Sequence, residues 1–350
     1  MKFPADMAAR LRGFYEGRDV LVTGGAGFIG GHLVDALLSL GASITVLDDL
    51  SNSELDHLSG LMEIEPERVR FVKGSILDDD ALESAMRGHE AVGPGVSRVG
   101  TPMTVFHLAA VGSVQRSVED PQRTWAVNAT GTVRVLEAAR RAGARRVVNF
   151  SSSSVYGDQP ELPKRETQLP APRSPYAASK LAGEAAVAAW CAAYGSSAIS
   201  LRCFNVFGPR QSADSRYAAV IPAFIARLAQ NQPPTIQGDG QQSRDFTFVA
   251  NAVAATLLAG SATRDLRGEA INVGTARRVT IQDLAREIAS RFGLSNVPWQ
   301  YLPARVGDVR HSLADLSRAK ELVGYEPFAT LEQGLDEVVA WFKQSAGARA

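Results

Sequence analysis

Residues 19–30 read DVLVTGGAGFIG, and this stretch decides the fold that the rest of the sequence predicts. Its residues 20–22, VLV, form a short apolar run typical of a buried strand, and a helical pattern follows the last glycine. Gly24 permits a tight turn, Gly27 lets backbone N–H groups approach a ligand, and Gly30 lets the helix pack closely on the strand. This order of strand, glycine turn and helix predicts a cradle for a pyrophosphate at a helix N-terminus.

The next apolar run ends in VLDDL and places Asp48 about 20 residues after the turn, where such folds bind an adenosine ribose. Its carboxylate can accept both ribose hydroxyls and would repel a 2′-phosphate. The predicted cofactor is therefore NAD rather than NADP. A glycine turn in a sheet that binds nothing is the alternative interpretation.

Apolar runs alternate with helical patterns as far as RRVVNFSSS, which indicates parallel strands covered by helices on both faces. The predicted fold class is α/β: a doubly wound parallel Rossmann sheet with a second, smaller α/β substrate lobe. Residues 1–203 are predicted to form the first domain, which also receives a helical segment near 247–262, and residues 204–350 mainly the second lobe. Residues 93–104, rich in Gly and Pro, predict a surface loop.

The 350 residues carry 37 Lys and Arg against 37 Asp and Glu, so the sequence has no net charge that would favour a nucleic acid or an anionic membrane. The two cysteines form no pair typical of a zinc site, and we expect no metal. The first residues have no apolar core of the signal-peptide type, and no run is long enough to span a membrane, so we expect a cytoplasmic protein.

The stretch RSPYAASKLAGE places Tyr176 four residues before Lys180 at the start of a predicted helix, so both side chains share one face. An isolated pair of this kind is more often a packed tyrosine and a solvated lysine. However, the run ending in SSSSVYG places Ser152 at the carboxyl edge of the sheet, where ligands of these folds bind. A neighbouring ammonium and a cationic nicotinamide would both favour the phenolate of Tyr176 and so lower its pKa.

Together these motifs resemble the extended short-chain dehydrogenase/reductase family over nearly the whole chain. The resemblance implies that Tyr176, Lys180, Ser152 and Ser153 are catalytic and that Lys180 also holds the nicotinamide ribose. It implies a cofactor site for NAD formed by Gly24, Gly27, Phe28, Ile29, Gly30, Asp48, Ser75, Ile76, Leu108, Ala109, Ala110, Asn128, Tyr176 and Lys180. Asn128 is implied to steady the active-site helix and its waters. Ser75 departs from the family, which commonly has Asp there as a contact to adenine.

The second lobe resembles that of sugar-nucleotide 4-epimerases, in which matching residues hold a uridine diphosphate. The resemblance implies a substrate site formed by Asn205, Ala219, Val220, Arg244, Arg305, Asp308 and Ser312. Guanidinium groups suit diphosphate oxygens, and Asp suits ribose hydroxyls. Cys203 stands where many relatives have Tyr, and this difference is expected to alter the packing over the sugar.

Ser153 and Ser154 stand where dehydratases of the family have an Asp-Glu pair and decarboxylases a Glu, so the resemblance implies 4-epimerisation through a 4-keto intermediate. Ser312 is small where epimerases restricted to unsubstituted hexoses have a bulky Tyr. The sequence is therefore most similar to bacterial UDP-N-acetylglucosamine 4-epimerases of polysaccharide biosynthesis.

Two alternatives keep the same class of enzyme, namely a UDP-glucose 4-epimerase and a UDP-glucuronate 4-epimerase whose Arg310 meets the carboxylate. A non-catalytic NAD-binding sensor is a third. The family also implies a homodimer formed through the helices near 122–142 and 177–194.

Overall fold

The computed structural model describes residues 2–88, 103–212, 219–294, 297–303 and 309–347. Most of the loop predicted at 93–104 lies outside the described residues, as do Arg305 and Asp308 of the predicted substrate site. Among the residues described, no helix is both long and apolar enough to cross a membrane.

The strands fall into one large sheet and three small two-stranded sheets. They are β1 Asp19–Thr23, β2 Ser43–Asp48, β3 Val69–Lys73, β4 Thr104–His107, β5 Arg146–Ser152, β6 Ala198–Cys203, β7 Val206–Phe207, β8 Thr235–Gln237, β9 Ser243–Asp245, β10 Thr247–Phe248, β11 Arg267–Val273, β12 Arg278–Thr280 and β13 Gln300–Leu302.

The helices separate most of these strands. They are α1 Ala5–Tyr15, α2 Phe28–Ser39, α3 Asp56–Ile64, α4 Asp79–Met86, α5 Val114–Glu119, α6 Pro121–Trp125, α7 Gly131–Ala142, α8 Pro175–Tyr194, α9 Val220–Ala229, α10 Val249–Ser261, α11 Ile281–Arg291, α12 Ser317–Val323 and α13 Leu331–Gly347. A π-helical turn, Ala126–Thr130, joins α6 to α7, and a 3-10 turn, Ser153–Tyr156, follows β5.

The large sheet has seven strands in the order β11-β6-β5-β4-β1-β2-β3, and all its pairs are parallel. The predicted fold class is confirmed. Because β1 pairs with β2 on one side and β4 on the other, the order reverses next to β1. The crevice outside the carboxyl ends of β1 and β4 is thus the switch point at which doubly wound sheets bind ligands.

The segment predicted near 247–262 is the helix α10, which contacts α2 and the strands β4, β5 and β6. Its residues from Val249 to Gly260 are all buried, because the helix is apolar on every side and is covered all round. The strand β11, which the predicted division at residue 203 assigns to the second lobe, instead pairs with β6 at the edge of the large sheet. Because β11 and β6 are far apart in the sequence, the local hydrophobic pattern does not reveal that they pair.

The second lobe consists of short pieces brought together from distant parts of the chain. Pairing of β9 with β12 and of β8 with β13 joins segments far apart in sequence. The helix α11 begins at a side-chain cap, since the hydroxyl of Thr280 accepts the N–H of Asp283 at 3.0 Å. Three aromatic rings, Phe207, Phe246 and Phe248, pack beneath these pieces.

Candidate active site

The turn between β1 and α2 depends on the absence of side chains at two glycines. Gly24 has a φ of +73°, and a Cβ there would lie 2.6 Å from the backbone nitrogen of Ala109. A Cβ at Gly30 would lie 2.1 Å from the carbonyl oxygen of Gly24. Gly27 caps the N-terminus of α2. The turn therefore leaves room for a phosphate group directly at the positive end of the helix.

Asp48, at the end of β2, faces this turn. One carboxylate oxygen accepts the N–H of Ala26 at 3.0 Å, and the other accepts the N–H of Leu50 at 2.9 Å and the hydroxyl of Ser53 at 3.1 Å. A carboxylate offers about four acceptor positions, so capacity remains for a further donor such as a ribose hydroxyl. These residues fit the adenosine half of NAD.

The residues after β3 and β4 are predicted to line the same crevice, and they make different contacts. The hydroxyl of Ser75 accepts the N–H of Leu77 at 3.2 Å, so it stabilises its own turn. The side chain of Ile76 is buried in the core against Gly131, which leaves its main chain for the crevice. Phe28 and Ile29 begin α2, while Leu108, Ala109 and Ala110 follow β4 and pass beside Gly24.

Asn128 lies in the π-helical turn, a feature that often marks functional sites. Its side-chain oxygen accepts the N–H of Val111 at 2.8 Å, and its side-chain nitrogen donates to the hydroxyl of Ser179 at 3.1 Å. Asn128 thus ties the segment after β4 to α8. This geometry supports the predicted role in steadying the active-site helix.

Tyr176 and Lys180 both lie in the first turns of α8. The hydroxyl of Ser174 caps this helix by accepting the N–H of Ala177 at 3.1 Å, which sets where the helix starts. Lys180 is buried and donates to the carbonyl oxygen of Phe150 on β5 at 2.7 Å. Ser152, two residues further along, interacts with the phenol of Tyr176. The structure brings together these three of the four residues predicted to be catalytic.

Burial dominates the electrostatics of this group in the protein without its cofactor. Burial raises the pKa of Tyr176, and the interaction with Ser152 only partly offsets the increase. Burial also lowers the pKa of Lys180 to about 8. The protein groups alone therefore shift the pKa of Tyr176 upward, because removal from water outweighs the nearby polar contacts, and the lowering expected with a cationic nicotinamide stays a prediction.

Ser153 and Ser154 start the 3-10 turn directly after Ser152. The backbone N–H of Ser154 donates to the hydroxyl of Ser152 at 3.2 Å. Within the described part of the chain, the buried hydroxyl of Ser154 has no hydrogen-bond partner. No carboxylate occupies these two positions.

Cys203 ends β6 within electrostatic reach of both Tyr176 and Lys180. Burial raises the pKa of its thiol to about 12, so it is neutral. Sequence reasoning assigned Cys203 only to packing over the sugar and did not place it beside the Tyr-Lys pair. Cys203 ends the strand that pairs with β5, and this position could have indicated that it lies beside the Tyr-Lys pair.

Of the predicted substrate residues, Asn205 and Ser312 meet each other. The side-chain nitrogen of Asn205 donates to the backbone oxygen of Asp245 at 2.9 Å and to the hydroxyl of Ser312 at 3.3 Å. That hydroxyl also accepts the N–H of Asp245 at 3.3 Å. Ser312 is buried, so the size of its side chain decides how much space remains beside Asn205.

Arg244, another residue predicted to bind the substrate, lies in β9 next to Asp245. The guanidinium of Arg244 donates to the backbone oxygens of Ser243 and Arg310 at 3.0 and 3.3 Å. Ala219 is the N-cap of α9, and Val220 is its first residue.

Arg310 makes two parallel hydrogen bonds to the carboxylate of Asp239, both 2.8 Å long. This guanidinium lowers the pKa of Asp239 to about 2. The pair is half exposed, which keeps its contribution to stability small. The positive charge of Arg310 is therefore paired with the carboxylate of Asp239.

The fold, the glycine turn and Asp48 together define a dinucleotide-binding protein of the doubly wound α/β class. A model of the NAD dependent epimerase/dehydratase family matches residues 20–274. The chain belongs to this family and is an enzyme that uses NAD.

Relatives cover almost the whole chain. The UDP-glucose 4-epimerase of Mycolicibacterium smegmatis is 38% identical over 327 residues, 93% of this chain and 99% of that protein. A dTDP-glucose 4,6-dehydratase of Streptomyces niveus is 33% identical over 337 residues, 93% of each. Relatives at comparable identity are thus named for different reactions, and family membership alone leaves the reaction open.

Solved structures also match almost the whole chain. The UDP-N-acetylglucosamine 4-epimerase of Methanobrevibacter ruminantium M1, in complex with UDP-N-acetylmuramic acid, is 35% identical with a TM-score of 0.84. The match covers 94% of this chain and 99% of that one.

Proposed function

We propose that this enzyme interconverts UDP-N-acetylglucosamine and UDP-N-acetylgalactosamine by 4-epimerisation through a 4-keto intermediate. The observation that carries the choice of sugar is the contact of the small, buried Ser312 with Asn205. The choice of reaction rests on Ser153 and Ser154, which offer no carboxylate beside the Tyr-Lys pair.

In this proposal Tyr176 takes the proton of the sugar 4-hydroxyl, with Ser152 as a relay, and later returns it. Bound NAD supplies the acceptor and then the donor of the hydride. Lowering the pKa of a tyrosine from near 10 to neutrality requires about 4 kcal/mol of electrostatic stabilisation. The positive charge of Lys180, together with that of the oxidised nicotinamide, would oppose the effect of burial on Tyr176.

Elimination and decarboxylation both move a proton at a second carbon of the sugar and need a further general acid or base. The hydroxyls of Ser153 and Ser154 are poor substitutes at neutral pH. The residues of this site therefore favour removal and return of hydride at one carbon.

The second lobe would hold the uridine diphosphate while the sugar turns over. We assign this role to Asn205, Ala219, Val220, Arg244, Arg305 and Asp308. Firm contacts to the nucleotide and few to the ring would let the 4-keto sugar present its opposite face to the same cofactor.

A second candidate substrate pair is UDP-glucose and UDP-galactose, favoured by the similarity to the M. smegmatis UDP-glucose 4-epimerase. The pocket beside Ser312 would accept these smaller sugars too. UDP-glucuronate is less well supported, because Arg310 is already paired with Asp239. A sensor without catalysis is disfavoured by the presence of both Tyr176 and Lys180.

The direct test is incubation of the purified protein with UDP-N-acetylglucosamine, without added NAD, followed by proton NMR. We expect the galacto epimer to appear. Parallel samples with UDP-glucose and UDP-glucuronate rank the three pairs. Conversion of UDP-glucose alone would retain the mechanism and refute the assignment of Ser312, whereas a 4-keto-6-deoxy product would refute epimerisation.

We also propose a homodimer through α7 and α8. The outer side of α8 exposes Ala185, Ala189 and Ala192, and the neighbouring α6 exposes about half of Trp125, 49%. Small residues allow two helices to approach closely. Light scattering of the eluting protein tests the mass, and a monomer at micromolar concentration would contradict the proposal.

A further inference from the structure

A buried ion pair lies one helical turn beyond Lys180. Arg202 on β6 donates through Nε to both carboxylate oxygens of Glu184, at 3.0 and 3.2 Å, and through a terminal nitrogen at 2.7 Å. Both side chains are less than a tenth exposed, at 6% and 8%. The hydroxyl of Ser151 also donates to Glu184. Three donor groups thus satisfy one carboxylate.

This carboxylate is a potential competitor for the active-site lysine. Lys180 and Glu184 are separated by four residues on α8, a spacing at which oppositely charged side chains meet on one face. Lys180 nevertheless donates to the carbonyl oxygen of Phe150 at 2.7 Å. Burial lowers the pKa of Lys180, and the nearby negative charge of Glu184 partly offsets this lowering, so the two groups interact electrostatically without forming a direct contact.

We infer that Arg202, helped by Ser151, is a positioning residue that engages Glu184 and thereby keeps the ammonium of Lys180 directed at the active site. The inference rests on the function proposed above for Lys180 and Tyr176. Neither Arg202 nor Glu184 touches the reacting atoms in this arrangement. Their effect is transmitted through the position of Lys180.

The energetics favour such a role over simple stabilisation. A buried ion pair contributes little net stability, because desolvation of both charges offsets their attraction. Removing one partner is costly, because the other remains buried and unpaired. A carboxylate without Arg202 would therefore recruit the nearest available cation, and Lys180 is one turn away on the same helix.

The other titratable groups near Arg202 are Tyr156, Cys203 and Glu166, and none of them is a cation that could replace Arg202 beside Glu184. The ring of Tyr156 packs 4.8 Å from the guanidinium carbon of Arg202, and its hydroxyl donates to Asn272. Cys203 carries a neutral thiol. Glu166, which also interacts electrostatically with Arg202, accepts the N–H of Asn272 at 2.7 Å.

The test compares Arg202→Met, Glu184→Gln and the double variant in the full chain with its retained cofactor. Arg202→Met leaves an extra negative charge near the site, so the pH at which activity rises with loss of the Tyr176 proton should increase by about 0.5 unit or more. Glu184→Gln leaves an extra positive charge, so the rise in activity should occur at lower pH. The double variant should return close to the wild-type profile.

A purely structural role predicts a different result: the melting temperatures would fall while the pH profiles per folded molecule coincide. Coincident profiles would overturn the inference. If Arg202→Met does not fold, Glu184→Gln and the double variant, which leaves no unpaired charge, still give the comparison.

A readout independent of turnover separates this inference from the proposed function. In a crystal structure of Arg202→Met, Lys180 should leave Phe150 and lie within about 3.5 Å of Glu184. Lys180 in its original place would contradict the inference even if the wild-type enzyme epimerises UDP-sugars. Absence of epimerisation by the wild-type enzyme would contradict only the proposed function.

Discussion

The cofactor crevice and the sugar site are built in contrasting ways. The phosphate-binding part of the crevice is formed by one continuous stretch, β1, its glycine turn and α2, with Asp48 from the adjacent strand. The sugar site depends on Asn205 and Ser312, which are separated by 107 residues and meet only in the folded lobe. A site encoded by local backbone sterics can be recognised from its sequence, whereas a site formed by distant loops requires the fold or a resemblance.

The largest expected effect on turnover comes from substitution of Tyr176, whose proposed proton transfer needs both the cofactor and the sugar. Tyr176→Phe removes the proposed base, so turnover should fall about a thousandfold or more while NAD remains bound. Stopped reactions analysed by NMR give the rate, and absorbance of denatured protein gives the bound cofactor. Tyr156→Phe is the matched control, because that hydroxyl bonds Asn272 and should affect stability more than turnover. Substantial turnover by Tyr176→Phe would disprove the assigned role.

The second prediction concerns a side chain added to the glycine turn of the cofactor crevice. Gly30→Ala places a Cβ 2.1 Å from the carbonyl oxygen of Gly24, so we expect a loss of about 3 kcal/mol in the free energy of unfolding and loss of bound NAD. Gly60→Ala is the control. A Cβ there meets nothing within 4 Å, and an alanine inside α3 should stabilise by up to about 1 kcal/mol. Equal unfolding curves for the two variants would contradict the steric explanation.

The third prediction concerns the sugar site. Ser312→Tyr should fill the space beside Asn205 and reduce kcat/KM for UDP-N-acetylglucosamine by about thirtyfold, which corresponds to the rejection of one bulky group by a pocket. UDP-glucose serves as the internal control and should change only a few-fold. A parallel decline for both sugars would mean that Ser312 does not determine selectivity.

The fourth prediction concerns a pH dependence of stability within the cofactor half. Burial lowers the pKa of His107 to about 3, and its ring nitrogens bond Thr23 and Thr132 at 2.8 and 3.0 Å. Because the unfolded chain binds a proton near pH 6.5 that the folded chain does not, stability should fall as the pH decreases below that value. The expected slope from this residue is about 1.4 kcal/mol per pH unit.

The measurement is urea unfolding between pH 7 and 5 for the wild type and for His107→Gln. Other groups titrate in both proteins, and the difference between the two isolates His107. Identical slopes would show that the imidazole is protonated in the folded protein.

Much of the architecture could be predicted. The alternation of strands and helices, the glycine turn and the helix α10 all follow from local pattern, because each is determined by residues close in sequence. The placement of β11 could not, since its pairing with β6 depends on a contact between segments far apart in the chain. The burial of Tyr176, which raises its pKa in the protein alone, could not be predicted for a similar reason, because burial is a property of the whole fold.

The sequence by itself determined the doubly wound sheet and the cofactor crevice, because hydrophobic periodicity and glycine sterics act over a few residues. It also placed Tyr176 and Lys180 on one helical face. Only the tertiary structure decided which groups surround that face: Cys203 beside it, Phe150 as the partner of Lys180, and Glu184 engaged by Arg202. The physical reason is that electrostatic environment depends on distance and burial in three dimensions, and residues far apart in the chain contribute to it as strongly as neighbours do.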